Sequence, residues 1–128
     1  MMAAKVIDTS ALAAVVFAEP DGRRIAARME NHDLLAPFLL PFELANVCLM
    51  KIRRHPAQKT LLLAGYEMVS RLPLTFMAVN MTEVLGLAQD KALTAYDASF
   101  LWLAKTLDVE LMTLDKTLAK AFAPRKGK

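Results

Sequence analysis

KVIDTSALAAVVFAEP, residues 5–20, changes character at its fourth residue. A short β-type run, KVID, ends in Asp8 and gives way to an Ala-rich segment with helical composition. Either Thr9 or Ser10 suffices to accept the orphan N–H groups of a starting helix, which leaves Asp8 free for other work. The same alternation recurs down the chain. Runs of β type at LLAP (34–37), LTFMAV (74–79) and ELMT (110–113) are separated by longer helical stretches. Helices are expected at 10–18, 21–32, 38–54, 57–71, 82–91, 95–107 and 116–122. This is the pattern of βα units on a parallel sheet of about four or five strands, an α/β fold with helices on both faces.

At 128 residues the chain suits one domain, expected over 1–122, with a basic, disordered tail at 123–128. The hydrophobic content of 55% fits strands buried on both faces. No apolar run reaches the roughly 18 residues of a membrane span, and nothing resembles a signal peptide, so a cytoplasmic protein without membrane contact is expected. The single cysteine, Cys48, lies in an apolar helix and reads as core. His32 and His55 lack metal-ligand spacing and receive no role.

Four acids stand out by position. In FLLPFELANVCLM, residues 38–50, Glu43 is the one charge and Asn46 the one other polar side chain. Pro41 suits a first turn, so Glu43 stands near a helix N-terminus, on a stripe with Asn46, Val47 and Met50 that is expected to be buried. Asp97 heads a stripe of Phe100, Leu101 and Ala104, although Thr94 and Asp97 together also read as a capping box. Asp115 follows the ELMT strand as Asp8 follows KVID, and helix capping explains it equally well. In a parallel sheet, strand ends and the following helix starts collect at one edge, so all four acids can meet there. Crowded carboxylates would repel unless neutralised, and an all-oxygen set suits Mg²⁺ or Mn²⁺. The chemistry that follows is phosphodiester hydrolysis.

The order of VIDTSALAAVVFAEP, PFLLPFELANVCL, AYDASFLWLAKTLDVELMTLD and KTLAKAF resembles the PIN-domain family, in the compact form of VapC-type toxin ribonucleases. The likeness spans nearly the whole chain, with Glu19 and Pro20 also fitting but peripheral. It implies a three-layer α/β/α fold and a Mg²⁺- or Mn²⁺-dependent ribonuclease whose metal-binding, catalytic acids are Asp8, Glu43, Asp97 and Asp115. Thr9 or Ser10 and Thr113 would support the site. It also implies an RNA substrate, a homodimer, and a cognate VapB-like antitoxin of a type II toxin–antitoxin pair. Met29, Leu62, Tyr66 and Met68 are candidate antitoxin contacts, and Trp102 serves a dimer interface or the core edge.

Rival readings fail on residues. An aspartic protease would be nearly all β; a phospho-receiver needs an acid pair at the first strand and a lysine where LMTLDK has Asp115; a haloacid dehalogenase needs Asp where Ser10 stands. A binding or scaffold module whose acids only cap helices is the alternative that stays open. With the four acids set aside, nine acidic residues remain against 16 basic ones, a balance of +7 that suits a polyanion. Candidate RNA contacts are Arg23, Arg24, Arg53, Arg54, Lys91, Lys116, Lys120 and Arg125 to Lys128. No aromatic stacking platform is expected.

Overall fold

The computed structural model describes residues 2–123. The expected tail lies, from residue 124 onward, outside the described residues. Four strands form the sheet: β1 (Ala3–Ile7), β2 (His32–Pro37), β3 (Leu74–Met77) and β4 (Glu110–Met112). Seven α-helices accompany them among the described residues: α1 (Thr9–Val16), α2 (Gly22–Met29), α3 (Leu40–Arg54), α4 (Lys59–Glu67), α5 (Met81–Lys91), α6 (Ala95–Leu107) and α7 (Lys116–Phe122).

All pairings are parallel and the strand order is β3-β2-β1-β4. The chain therefore steps outward in one direction from β1 to β3, then returns past β1 to place β4. Right-handed crossovers put α1 to α4 on one face and α5 and α6 on the other. The contacts agree: α6 packs on β1, β2 and β4, while α2 packs on β2 and α1 joins α2 and α3. The result is a three-layer α/β/α sandwich. Both faces of the central strand are covered, so Val6 and Ile7, which point opposite ways, are both fully buried. Phe100, Leu101 and Ala104 of α6 fill the space beneath β1 and β4.

Several boundaries differ from the expectation for local reasons. α2 stops at Met29, not 32, because Asn31 takes a left-handed φ of 60° and the chain turns directly into β2 at His32. The single helix expected over 57–71 is α4 flanked by 3₁₀ turns at Pro56–Gln58 and Met68–Arg71. Pro73 forces Leu72 into an extended conformation (ψ 152°), which ends the helical stretch. β3 ends at Met77 because Asn80 already caps α5, accepting from the Glu83 N–H.

Two glycines allow α1 to be gripped closely. A Cβ on Gly22 would lie 2.3 Å from the Ala14 carbonyl oxygen, and one on Gly65 would lie 2.2 Å from that of Val16. Both obstacles are backbone and cannot yield. The C-terminal half of α1 is thus gripped by α2 and α4, while its N-terminus follows β1 at the C-terminal edge of the sheet.

Candidate active site

β1 and β4 are neighbours whose following helices leave toward opposite faces, α1 on one side and α7 beside α6 on the other. Such a switch point opens a crevice at the carboxyl ends of the two strands. The register Ile7↔Met112 brings Asp8 level with Thr113, and the Asp8 N–H donates to the Met112 carbonyl at 3.0 Å.

Asp8 is itself the N-cap of α1, which corrects the expectation that Thr9 or Ser10 caps the helix. Its Oδ1 accepts from the Ala11 N–H at 2.9 Å and from Ser10 Oγ at 2.7 Å, and its Oδ2 accepts from Thr113 Oγ1. Ser10 is thereby freed to act as a bridge, its Oγ accepting from the Leu114 N–H at 2.9 Å and tying α1 to the segment after β4. Thr113 Oγ1 likewise accepts from the Asp115 N–H at 3.0 Å. Each hydroxyl carries one proton, already given to Asp8, so the 3.4 Å separation between the two oxygens is contact only. Asp8 is buried (4% exposed), and burial pushes its carboxyl above the ordinary range, partly countered by these donors; the charge of Asp115 pushes it further up.

Glu43 stands in the first turn of α3, where Thr9 Oγ1 donates to its Oε1 at 2.6 Å. Burial again raises its pKa most; the Thr9 bond lowers it, and the charges of Asp97 and Asp8 add to the rise. The stripe running from it is not buried as expected. α3 turns Leu40, Leu44 and Cys48 to the core, leaving Asn46 and Met50 exposed. Cys48 is core as expected, its thiol raised by burial and donating to the Leu62 carbonyl.

Asp97 lies in the first turn of α6. The helix is capped by Thr94, whose Oγ1 accepts from the backbone N–H of Asp97 at 3.0 Å. The reciprocal half of a capping box is missing: among the described residues nothing donates to the Asp97 carboxylate. Burial, then the charges of Asp115 and Asp8, hold its carboxyl above the ordinary range. Asp115 is exposed and caps α7, accepting from the Leu118 N–H at 2.8 Å.

A cavity of about 350 Å³ is lined by Asp8, Thr9, Ser10, Glu43, Asn46, Val47, Asp97, Phe100 and Asp115. All four sequence-derived acids and two of the three supporting hydroxyls meet there; Thr113 stands behind Asp8. Asn46, to which the sequence assigned no role, belongs to the wall, and its place three residues after Glu43 was the available signal. A larger cavity of about 710 Å³ lies between α3, the segment 66–72 and β3, and holds no cluster of acids. Among the described residues no three His, Cys, Asp or Glu side chains close on a common point ready to hold a metal. Asp8, Glu43 and Asp115 are each turned to a local donor. The donor set still fits a hard divalent cation: it is all oxygen, and three of its carboxyls are raised by burial and by neighbouring acids, a tension that positive charge relieves.

Other sequence-derived residues separate. Arg23, Arg24, Arg53, Arg54, Lys116 and Lys120 are exposed, and Arg24 pairs with Asp21. Met29 and Leu62 are buried in the interior and are not surface contacts; Tyr66 is half-buried, its hydroxyl donating to the Pro41 carbonyl, and Met68 is exposed. Trp102 fills the seam between α5 and α6, and its Nε1 donates to Glu83 Oε1 at 2.8 Å. Among the described residues no helix is long and apolar enough to cross a membrane.

A family model described as PIN domain matches residues 5–122. Among solved structures, the crystal structure of PAE2754 from Pyrobaculum aerophilum is similar with a TM-score of 0.76 and 22% sequence identity, covering 94% of this chain and 86% of that one. At that identity the likeness speaks for the fold. A comparison with curated proteins finds no match.

Proposed function

Because this chain belongs to the PIN-domain family, whose members are generally metal-dependent nucleases, we propose that it is a Mg²⁺- or Mn²⁺-dependent endoribonuclease of the VapC toxin type. The observation that carries the reading is that Asp8, Glu43, Asp97 and Asp115, from four separate parts of the chain, line one cavity. Asp8, Glu43 and Asp97 would hold the cation, with Asp115 at the open side. When bound, a divalent cation supplies a lowered pKa for water and offsets charge growing on a phosphoryl group.

The chain's own residues do the rest. Ser10, Thr113 and the Ala11 N–H fix the Asp8 carboxylate through three donors, so its orientation does not have to be organised on binding. Thr9 anchors Glu43 through a single bond, which leaves that carboxylate able to turn toward a cation. Asp97, to which no side chain or N–H donates among the described residues, is the carboxylate freest to turn toward a cation or to accept a proton from an attacking water. Outside the four acids the chain carries 16 basic against nine acidic residues, a balance that suits a polyanionic strand.

The toxin role rests on the order and spacing of the four motifs. It brings with it a VapB-like antitoxin that obstructs the acid cavity, and a homodimer. Tyr66 and Met68 remain the accessible contacts among those expected for the antitoxin, and Tyr66 lines the 710 Å³ cavity. The opposing scaffold reading gains from Asp8 and Asp115, which do cap helices, but has no use for Asp97. RNA cleavage in Mn²⁺ separates the two: Asp8→Asn, Glu43→Gln and Asp97→Asn should each abolish it in a folded protein, whereas activity retained in all three would reject the assignment. Growth arrest on expression, lost in Asp97→Asn, tests the toxin role.

A further inference from the structure

The side chains around the acid cavity differ in whether they have a proton left to give. Asp8, Glu43, Asp97 and Asp115 are carboxylates, which only accept. Thr9 spends its hydroxyl proton on Glu43 at 2.6 Å, and Ser10 spends its own on Asp8 at 2.7 Å. Val47 and Phe100 are apolar. Asn46 remains. Among the described residues its amide is in no hydrogen bond, so its two N–H bonds are the unspent side-chain donors of the wall.

The fold makes no visible use of this side chain. Asn46 stands in the second turn of α3, exposed, three residues after Glu43 and so on the same side of the helix. It packs on neither core cluster. Asn is also a poorer helix former than the Ala and Leu around it, because its amide competes for backbone groups.

A phosphodiester brings two non-bridging oxygens, both acceptors, to a wall whose other polar side chains only accept. An oxygen not shared with a cation needs a donor there, and Asn46 is the side chain able to supply one. The ribose 2′-hydroxyl has no such need, since it can itself donate to any of the acids. We propose that the Asn46 amide donates to a non-bridging oxygen of the scissile phosphate, in a bond that strengthens as negative charge grows there. This inference rests on the nuclease reading given above and adds a residue that touches the reacting group.

The test uses the full chain, Mn²⁺ and a fluorescein-labelled, unstructured oligoribonucleotide. Asn46→Ala should melt no lower than wild type in EDTA and keep the full melting shift on adding Mn²⁺. Its kcat should fall by about 10²–10³-fold, the usual cost of one such donor, with KM little changed. Loss of the Mn²⁺ shift would make Asn46 a metal ligand and overturn the proposal. Asn46→Asp has nearly the same shape and no donor, and should lose at least as much; activity retained there would mean that the side chain accepts, which also overturns it. Once wild type has shown where it cuts, sulfur replaces each non-bridging oxygen of that phosphate in turn. One of the two isomers should slow wild type yet cost Asn46→Ala nothing more, whereas additive losses for both would refute the contact. A 2′-deoxy nucleotide at the cut that costs wild type but not Asn46→Ala would move the amide to the sugar and reject the phosphate assignment. Unchanged kcat in Asn46→Ala rejects the donor and leaves the nuclease reading intact; a wild-type protein that cuts no RNA rejects both.

Discussion

Replacing Asp97 by Asn separates a metal-site carboxylate from a capping one. Among the described residues the side chain accepts no hydrogen bond, and Thr94 caps α6 through the Asp97 backbone N–H, which the substitution leaves in place. The loss is therefore confined to the favourable position of a negative charge in the first turn of a helix, about 0.3–1 kcal/mol. Against it stands removal of a charge that burial, Asp115 and Asp8 all disfavour, and these together keep the carboxyl above its ordinary range. Asp97 is part-exposed, so solvent screening keeps the gain small. The two effects oppose each other, so the net change in metal-free protein stays within about 1 kcal/mol of zero. For a chain of this length that is a melting temperature within about 4 °C of wild type in EDTA. Saturating Mn²⁺, at about 100 times its Kd, should stabilise wild type by about 2.7 kcal/mol and the variant by much less. Circular-dichroism melts with and without Mn²⁺ read both quantities. A variant melting several degrees below wild type in EDTA, yet gaining the same shift from Mn²⁺, would refute the reasoning and make Asp97 a structural residue.

Asp115→Ala removes the α7 cap and should cost about 0.5–2 kcal/mol in urea unfolding, while Asp115→Asn, which keeps an acceptor for the Leu118 N–H, should cost little; equal losses would deny the cap. The raised carboxyls of Asp8, Glu43 and Asp97 make the metal-free native state bind more protons than the unfolded chain above about pH 4. Their stability contribution is complete below the unfolded pKa values and is lost as pH rises through the folded ones; Glu110, lowered by Lys5 and Arg28 against its own burial, acts in the opposite sense. The stability of Asp97→Asn relative to wild type should therefore increase from about pH 4 to pH 7, and a difference flat with pH would exclude the effect. Gly22→Ala drives a methyl into the Ala14 carbonyl and should destabilise by about 1–3 kcal/mol in the same assay, with a neutral result showing that α1 and α2 can separate.

The layers and the site's acids were legible because both depend on spacing along the chain. The strand runs KVID and ELMT announced two carboxylates just past neighbouring strands, and α6 and α7 begin and end where the sequence placed them. What escaped depends on the third dimension. Nothing in KVIDTS says that Asp8 caps α1 while Ser10 reaches across to Leu114; that assignment is decided by β4, more than a hundred residues away. Met50 reads as core because its neighbours are apolar, yet α3 can bury only the Leu40, Leu44, Cys48 stripe, and Met50 is left 41% exposed. Phe42 and Tyr96, also within apolar runs, are exposed at 77% and 62%. An aromatic residue within an apolar run is counted as interior until the direction of its helix is known.

The most direct measurement is an anomalous difference map from crystals grown with Mn²⁺. The account predicts a strong peak within ligating distance of Asp8, Glu43 and Asp97, with Glu43 or Asp97 turned inward to meet it. Crystals that place Mn²⁺ elsewhere, or leave the cavity without a peak at concentrations that support RNA cleavage, would contradict it.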